Sequence, residues 1–106
     1  PKTLKQMEKM VAVKAQLARI ENDLKTIDGE RQQIFSDQQR LRENLKGLGQ
    51  TSEEKGLRSR YIQQLGDQET RLGQIEKQEE SLKTQQKTQK RALELLMGNL
   101  SQDLRI

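Results

Sequence analysis

Residues 47–56 read GLGQTSEEKG and interrupt a chain that is otherwise rich in helix-forming residues. Two glycines followed by Thr and Ser fit either a phosphate-binding loop or a reversal of the chain. A phosphate loop needs a preceding strand and a lysine at a fixed place in a motif such as G-x-x-x-x-G-K-[ST]. This stretch lacks the strand and the motif, and it puts Glu53 and Glu54 where the phosphates would lie. It therefore predicts a turn, with Gly49 in the left-handed position after a helix that ends at Leu48. Thr51 and Glu54 are expected to form a capping box at the start of the next helix.

The composition of the chain argues against a spherical core. Of its 106 residues 30% are hydrophobic, 34% are charged and two are aromatic. Disordered chains usually combine few aliphatic residues with a high net charge and frequent Pro or Gly. Here the charges are mixed and the only proline is Pro1, so the composition favours a long helical assembly. Because the chain begins at proline without methionine, we expect it to be a piece of a larger protein.

The residue types also restrict the chemistry. The chain has no cysteine and no histidine, which excludes disulfides, thiol nucleophiles and imidazole acid–base catalysis. Paired carboxylates such as Glu79 and Glu80 are more simply read as solvated helix charges, because a thin rod offers no concave pocket. No stretch approaches the ~20 apolar residues of a membrane span. The sequence thus predicts a non-enzymatic chain with no catalytic residue, cofactor, metal or membrane span.

Apolar residues recur at alternating spacings of three and four on both sides of the turn, a heptad pattern typical of coiled coils. The first run is Met10, Val13, Leu17, Ile20, Leu24, Ile27, Arg31, Ile34, Gln38, Leu41, Leu45 and Leu48. The second run is Tyr61, Leu65, Gln68, Leu72, Ile75, Glu79, Leu82, Gln86, Gln89, Leu93, Leu96 and Leu100. The stretch KTQQKTQK (83–90) contains no apolar residue, so the second seam is the weaker one.

The two seams match when the chain folds back near residue 53. Positions whose numbers add to about 106 then face each other, and every a position meets a d position. This predicts an all-α, antiparallel two-helix hairpin with a first arm of about 3–48, a turn of about 49–52 and a second arm of about 53–103. One continuous parallel coiled coil of two chains is the alternative, and the glycines 47, 49 and 56 argue against it.

Polar residues within the seams predict specific pairs. Gln38 falls opposite Gln68, and two buried amides can satisfy each other, whereas either one facing leucine would lose about 1–3 kcal/mol of solvation. This pair is expected to fix the register of the hairpin. Arg31 lies one layer from Glu79, which allows a seam ion pair, or Arg31 lays its methylenes on the seam and sends its guanidinium to water.

Charged residues beside the seams give mixed support for the pairing. Two pairs would attract and two would repel: the attracting pairs are Glu21 with Lys83 and Asp37 with Arg71, and the repelling pairs are Lys14 with Lys90 and Asp28 with Glu76. Exposed pairs are each worth less than ~1 kcal/mol, so they do not decide the pairing.

Several apolar residues lie off the seam near both ends of the chain. They could form an interaction base where the chain enters and leaves the hairpin, and they are Leu4, Met7, Val11, Leu95, Met97 and Leu104. Phe35 and Ile62 flank the seam elsewhere and are the next candidates. Since a two-helix seam this thin is marginal alone, we expect a homodimer with four helices, or docking onto the remainder of the same protein.

A basic cluster in the second arm is the alternative functional feature. Lys83, Lys87, Lys90 and Arg91 follow one another without an intervening acid, and helical spacing puts them near one face. Such a face could contact phosphates in a weak nucleic-acid-binding arm. The chain lacks aromatic residues for base stacking and carries acids along both arms, so a solvated helix face is the favoured interpretation.

Short motifs in both arms resemble a bacterial family. The first arm contains D-Q-x-R-x-R-E-N, formed by Asp37, Gln38, Arg40, Arg42, Glu43 and Asn44, and the second contains Gln68 and Glu69. Residues 15 to 104 resemble the C-terminal helical hairpin of mucoidy-inhibitor-A-like proteins, which carry a domain of unknown function. The resemblance implies a hairpin that follows a β-rich domain in a bacterial protein. It supplies no catalytic residues.

Overall fold

The computed structural model describes residues 2–105, and it is an all-α helical hairpin. Helix α1 spans Lys2–Lys46 and helix α2 spans Ser52–Leu104. The predicted all-α hairpin is confirmed, and the arms differ from the expected bounds by one or two residues at each end. The described part of the chain contains no strand.

The heptad seam accounts for burial along both helices. All twenty-four predicted seam positions are buried or half-buried. Few of them are fully enclosed, because two helices cover only one stripe of each other and leave the flanks of that stripe to solvent.

The chain divides into two compact units. The tip unit comprises Thr26–Gln78 and the open-end unit comprises Pro1–Lys25 with Glu79–Ile106. The tip unit contains Ile27, Gln38, Leu41 and Ile75 as its buried residues, with Leu41 and Ile75 fully enclosed. Within the described part of the open-end unit, Ile20 is the one buried residue. The tip unit therefore has the better-covered core.

The end of α1 differs from the prediction. The helix stops at Lys46, and its last turn closes through two short-range bonds, from Gly47 N to Asn44 O and from Leu48 N to Leu45 O, each 3.2 Å. No glycine of the described chain has a positive φ, so the predicted left-handed Gly49 is wrong. Glycine suits this position for another reason. A Cβ there would lie 3.0 Å from both carboxylate oxygens of Glu54, so a larger residue would push this carboxylate a few tenths of an ångström away from the backbone.

The start of α2 confirms the capping box. Glu54 N donates to Thr51 Oγ1 at 3.1 Å, and Thr51 N donates to Glu54 Oε1 at 3.3 Å. Gly49 N donates to the other carboxylate oxygen of Glu54 at 2.5 Å. Arg58 donates to the carbonyls of Leu48 and Gly49 at 3.2 and 3.1 Å. Side chains of α2 therefore satisfy four backbone groups of the reversal, the amides of Gly49 and Thr51 and the carbonyls of Leu48 and Gly49.

Candidate functional site

The two seam glutamines of the tip unit lie in one polar layer, but they do not bond to each other. Gln38 Nε2 donates to Glu69 Oε1 at 2.8 Å, and Gln68 Nε2 donates to Asp37 Oδ2 at 2.6 Å. The expectation that the amides satisfy each other is therefore corrected. Each amide reaches past its counterpart to the neighbouring carboxylate, because a bond to a charged acceptor is stronger than one between two amides. Each contact lies one residue away from the Gln38–Gln68 alignment, on opposite sides of it, so the two together agree with the predicted register.

One atom of this layer is left without a partner. The Oε1 of Gln68 is buried and accepts no hydrogen bond within residues 2–105. A buried acceptor without a donor opposes folding. The layer thus favours one register through its two charge-assisted bonds, at the expense of some stability.

Double-mutant cycles distinguish the observed pairs from the expected one. The coupling between Gln68→Ala and Asp37→Ala should be at least twice that between Gln38→Ala and Gln68→Ala, because only the first pair shares a hydrogen bond. Thermal melts of the four chains in each cycle give both values. Equal couplings would mean that the amides exchange partners in solution.

A further ion pair joins the helices in the tip unit. Arg71 donates to both carboxylate oxygens of Glu30, through Nε at 2.5 Å and Nη2 at 2.8 Å. This bidentate bond lowers the pKa of Glu30 and raises that of Arg71. The expected partner of Arg71 was Asp37, which instead accepts from Arg40 and Gln68. These two hydrogen bonds, that from Arg40 first, lower the pKa of Asp37. Either acid lay within reach of a long arginine, so the sequence alone could not select Glu30.

The predicted Arg31–Glu79 ion pair involves residues of different units. In the tip unit, Arg31 Nη1 donates to Asp28 Oδ1 at 3.1 Å. In the open-end unit, Glu79 Oε1 lies 3.6 Å from Lys83 Nζ. The Arg31–Glu79 pair stays a prediction.

Backbone amides of the tip turn already bind a negatively charged side chain of the same chain. The carboxylate of Glu54 accepts from the backbone amides of Gly49 and Thr51 and from the Thr51 hydroxyl. These bonds, that from Gly49 first, lower the pKa of Glu54. Backbone amides of this kind are what a bound phosphate would use, and here they are occupied by a side chain.

The open-end unit presents the predicted interaction base to solvent. Leu4, Met7, Val11, Leu95, Met97 and Leu104 are all exposed, by 48 to 68%. An apolar groove of about 160 Å³ lies among Met7, Met10, Val11, Lys14 and Leu100. The exposure of these side chains leaves them available for contact, and their role as an interaction base stays a prediction.

A polar groove in the same unit was not anticipated. It has a volume of about 350 Å³ and is lined by Gln16, Arg19, Ile20, Asp23, Thr84, Gln85, Thr88 and Gln89. Part of its wall belongs to the stretch 83–90, where the second seam has no apolar residue. The absence of apolar residues from that stretch is the sequence feature from which the groove could have been predicted.

The cations of the basic cluster all lie at the surface. Lys83, Lys87, Lys90 and Arg91 are exposed, and Lys83 is partly neutralised by Glu79. Within residues 2–105, no group of three or more carboxylates is arranged to hold a metal ion. No helix in the same range combines the length and apolar character that crossing a membrane requires.

Comparisons with known proteins provide no further assignment for these surfaces. Neither protein-family models, nor curated proteins, nor solved structures give a match to this chain. The resemblance to mucoidy-inhibitor-A-like proteins stays a prediction from the motifs.

Proposed function

We propose that this chain is a non-enzymatic structural and interaction module, a coiled-coil hairpin that mediates spacing or self-association within a larger bacterial protein. The observation that carries this proposal is the set of exposed apolar side chains. Within residues 2–105, eight large apolar side chains are about half exposed or more, six in the open-end unit and two, Phe35 and Ile62, in the tip unit.

The exposed apolar side chains are informative here because several of them adjoin one another. Single exposed leucines need no explanation, but contiguous apolar patches mark interaction surfaces. Leu4, Met7 and Val11 follow one another at helical spacing on α1, and Met7 and Val11 border the apolar groove. Because the described open-end unit buries little of its own apolar surface, covering this patch would stabilise it.

The polar features support a role without catalysis. Apart from Arg19 and Asp23, the larger groove is lined by amide, hydroxyl and aliphatic groups. Three carboxylates of the tip unit, Glu30, Asp37 and Glu54, have clearly lowered pKa values. A general acid at neutral pH needs the opposite change.

Sedimentation velocity over a wide concentration range tests self-association. We expect a concentration-dependent dimer, and Met7→Gln with Met97→Gln should weaken it by about tenfold or more, since less apolar surface is then buried. The matched control, Lys5→Gln with Gln102→Ala, alters exposed polar positions in the same unit and should leave the dimer unchanged. A folded monomer at every concentration would contradict self-association.

A weak nucleic-acid-binding arm is the second candidate, favoured by the exposure of all four cations of the basic cluster. Duplex DNA titrated at two salt concentrations tests it. Four phosphate contacts predict a log–log salt slope near −0.9 per contact, or about −3.6 in all. Binding without such a slope would contradict this use of the cluster.

A further inference from the structure

The surface beside the seam carries a repeating pattern on α2. Take Leu72 as heptad position a and Ile75 as position d, so that position e directly follows each d. Between residues 62 and 97, the e positions of α2 are Ile62, Glu69, Glu76, Lys83, Lys90 and Met97. They read apolar, acidic, acidic, basic, basic, apolar. All six side chains are exposed.

This pattern is complementary to itself when reversed. The first three residues belong to the tip unit and the last three to the open-end unit. If α2 of a second copy runs in the opposite direction, Ile62 meets Met97, Glu69 meets Lys90 and Glu76 meets Lys83. Two-fold symmetry produces each contact twice.

We infer that a second copy of this chain covers the e positions of α2, with the open-end unit of each copy packed against the tip unit of the other. This inference rests on the proposed self-association and specifies its surface and direction. The ion pair between g positions, Glu30 with Arg71, lies on the other side of the seam and does not cover the e positions. Glu69 accepts a hydrogen bond from Gln38 and Lys83 lies 3.6 Å from Glu79, but both side chains remain exposed to a partner.

A dimer in which the two copies run in the same direction is disfavoured by charge. If two copies ran the same way with these faces together, α2 of one would lie on α1 of the other. Lys90 would then approach Lys14, and Glu76 would approach Asp28. These two repulsive pairs outnumber the one attractive charge pair, Lys83 with Glu21. Like charges at an interface select against that arrangement.

The same reversal places α1 against α1, where the fit is mixed. Lys14 would meet the ring of Phe35, a favourable cation–π contact. Glu21 would meet Asp28, which is unfavourable. The α2 pattern therefore dominates the choice of direction, and apolar contact at its ends supplies the attraction.

Charge reversal on the intact 106-residue chain tests the surface. Lys83→Glu with Lys90→Glu should weaken the dimer by about tenfold or more at low salt, since each altered contact occurs twice. Adding Glu76→Lys restores the opposite charges between residues 76 and 83 and should recover at least threefold of the lost affinity. Glu69 is left unchanged because its carboxylate accepts from Gln38 within the hairpin. The matched control, Lys77→Glu with Lys87→Glu, makes the same charge change on α2 away from the e positions and should alter affinity less than threefold.

Energy transfer between labelled copies tests the direction. Because the chain has no cysteine, Ser59→Cys and Gln102→Cys each provide one label site, both exposed and outside the e positions. Transfer from residue 102 of one copy to residue 59 of the other should be efficient, and transfer from 102 to 102 should be weak.

The outcomes separate this inference from the proposed function. A dimer with efficient 102-to-102 transfer, or one equally sensitive to the control reversal, overturns the inferred surface while self-association stands. A monomer at every concentration overturns both. Melts recorded below the dissociation constant show whether each variant remains folded.

Discussion

Replacing Ile75 with alanine should destabilise the hairpin more than any comparable change at an exposed position. Ile75 is fully enclosed in the tip unit, and truncating such a side chain typically costs about 2–5 kcal/mol through lost burial and the cavity that remains. The better helix propensity of alanine recovers only a few tenths of a kcal/mol. For a chain of this size, we expect the melting midpoint to fall by about 10 °C or more.

Ile62→Ala is the matched control, because it makes the same change on the same helix and in the same unit. Ile62 is 56% exposed, so its truncation should change stability by less than about 0.5 kcal/mol. Both variants are melted at low concentration, where a dimer does not contribute. Similar losses at the two positions would show that Ile75 is not enclosed in solution.

Acid should selectively destabilise the tip unit. Glu30, Asp37 and Glu54 all have lowered pKa values in the folded chain. A lowered folded pKa adds stability that is fully present above the unfolded value and is lost as pH falls through the folded value. The loss should therefore begin near pH 4, where unfolded carboxylates protonate, and continue below it. The physical causes are Arg71 for Glu30, Arg40 and Gln68 for Asp37, and backbone amides for Glu54.

Neutral variants make this prediction specific. The triple variant Glu30→Gln, Asp37→Asn and Glu54→Gln should melt lower than the original chain at pH 7 and lose less stability between pH 7 and pH 3. The control variant changes Glu8, Glu80 and Glu94 to Gln, three exposed acids outside the tip unit, and should lose as much as the original chain. Circular dichroism melts at the two pH values provide the comparison. Equal losses in all three chains would contradict an acid-sensitive tip.

The seam was predictable because it depends only on residue type and spacing. Ile20, Leu41 and Ile75 belong to heptad runs. When both arms carry such a run, few arrangements of the helices bury the apolar residues of both. The capping box at Thr51 was predictable for the same reason, since its bonds lie within four residues.

The polar contacts could not be predicted with the same accuracy. Gln38, Gln68 and Arg71 have long side chains with several acceptors within reach, and small rotamer differences decide among them. Their geometry depends on the packed helices rather than on the spacing of residues. The role of Gly49 was missed because a close approach by Glu54 leaves no separate signal in the sequence.

The contacts of the tip turn also differ from those of the open end in chain separation. Glu54 reaches Gly49 across five residues and Arg58 reaches Leu48 across ten, whereas Gln6 bonds to Asp103 across 97. The entropy lost in closing a loop grows with its length. Forming the turn first therefore costs far less chain entropy than joining the two ends directly. Once the arms lie side by side at the turn, each successive heptad pair closes only a short additional loop.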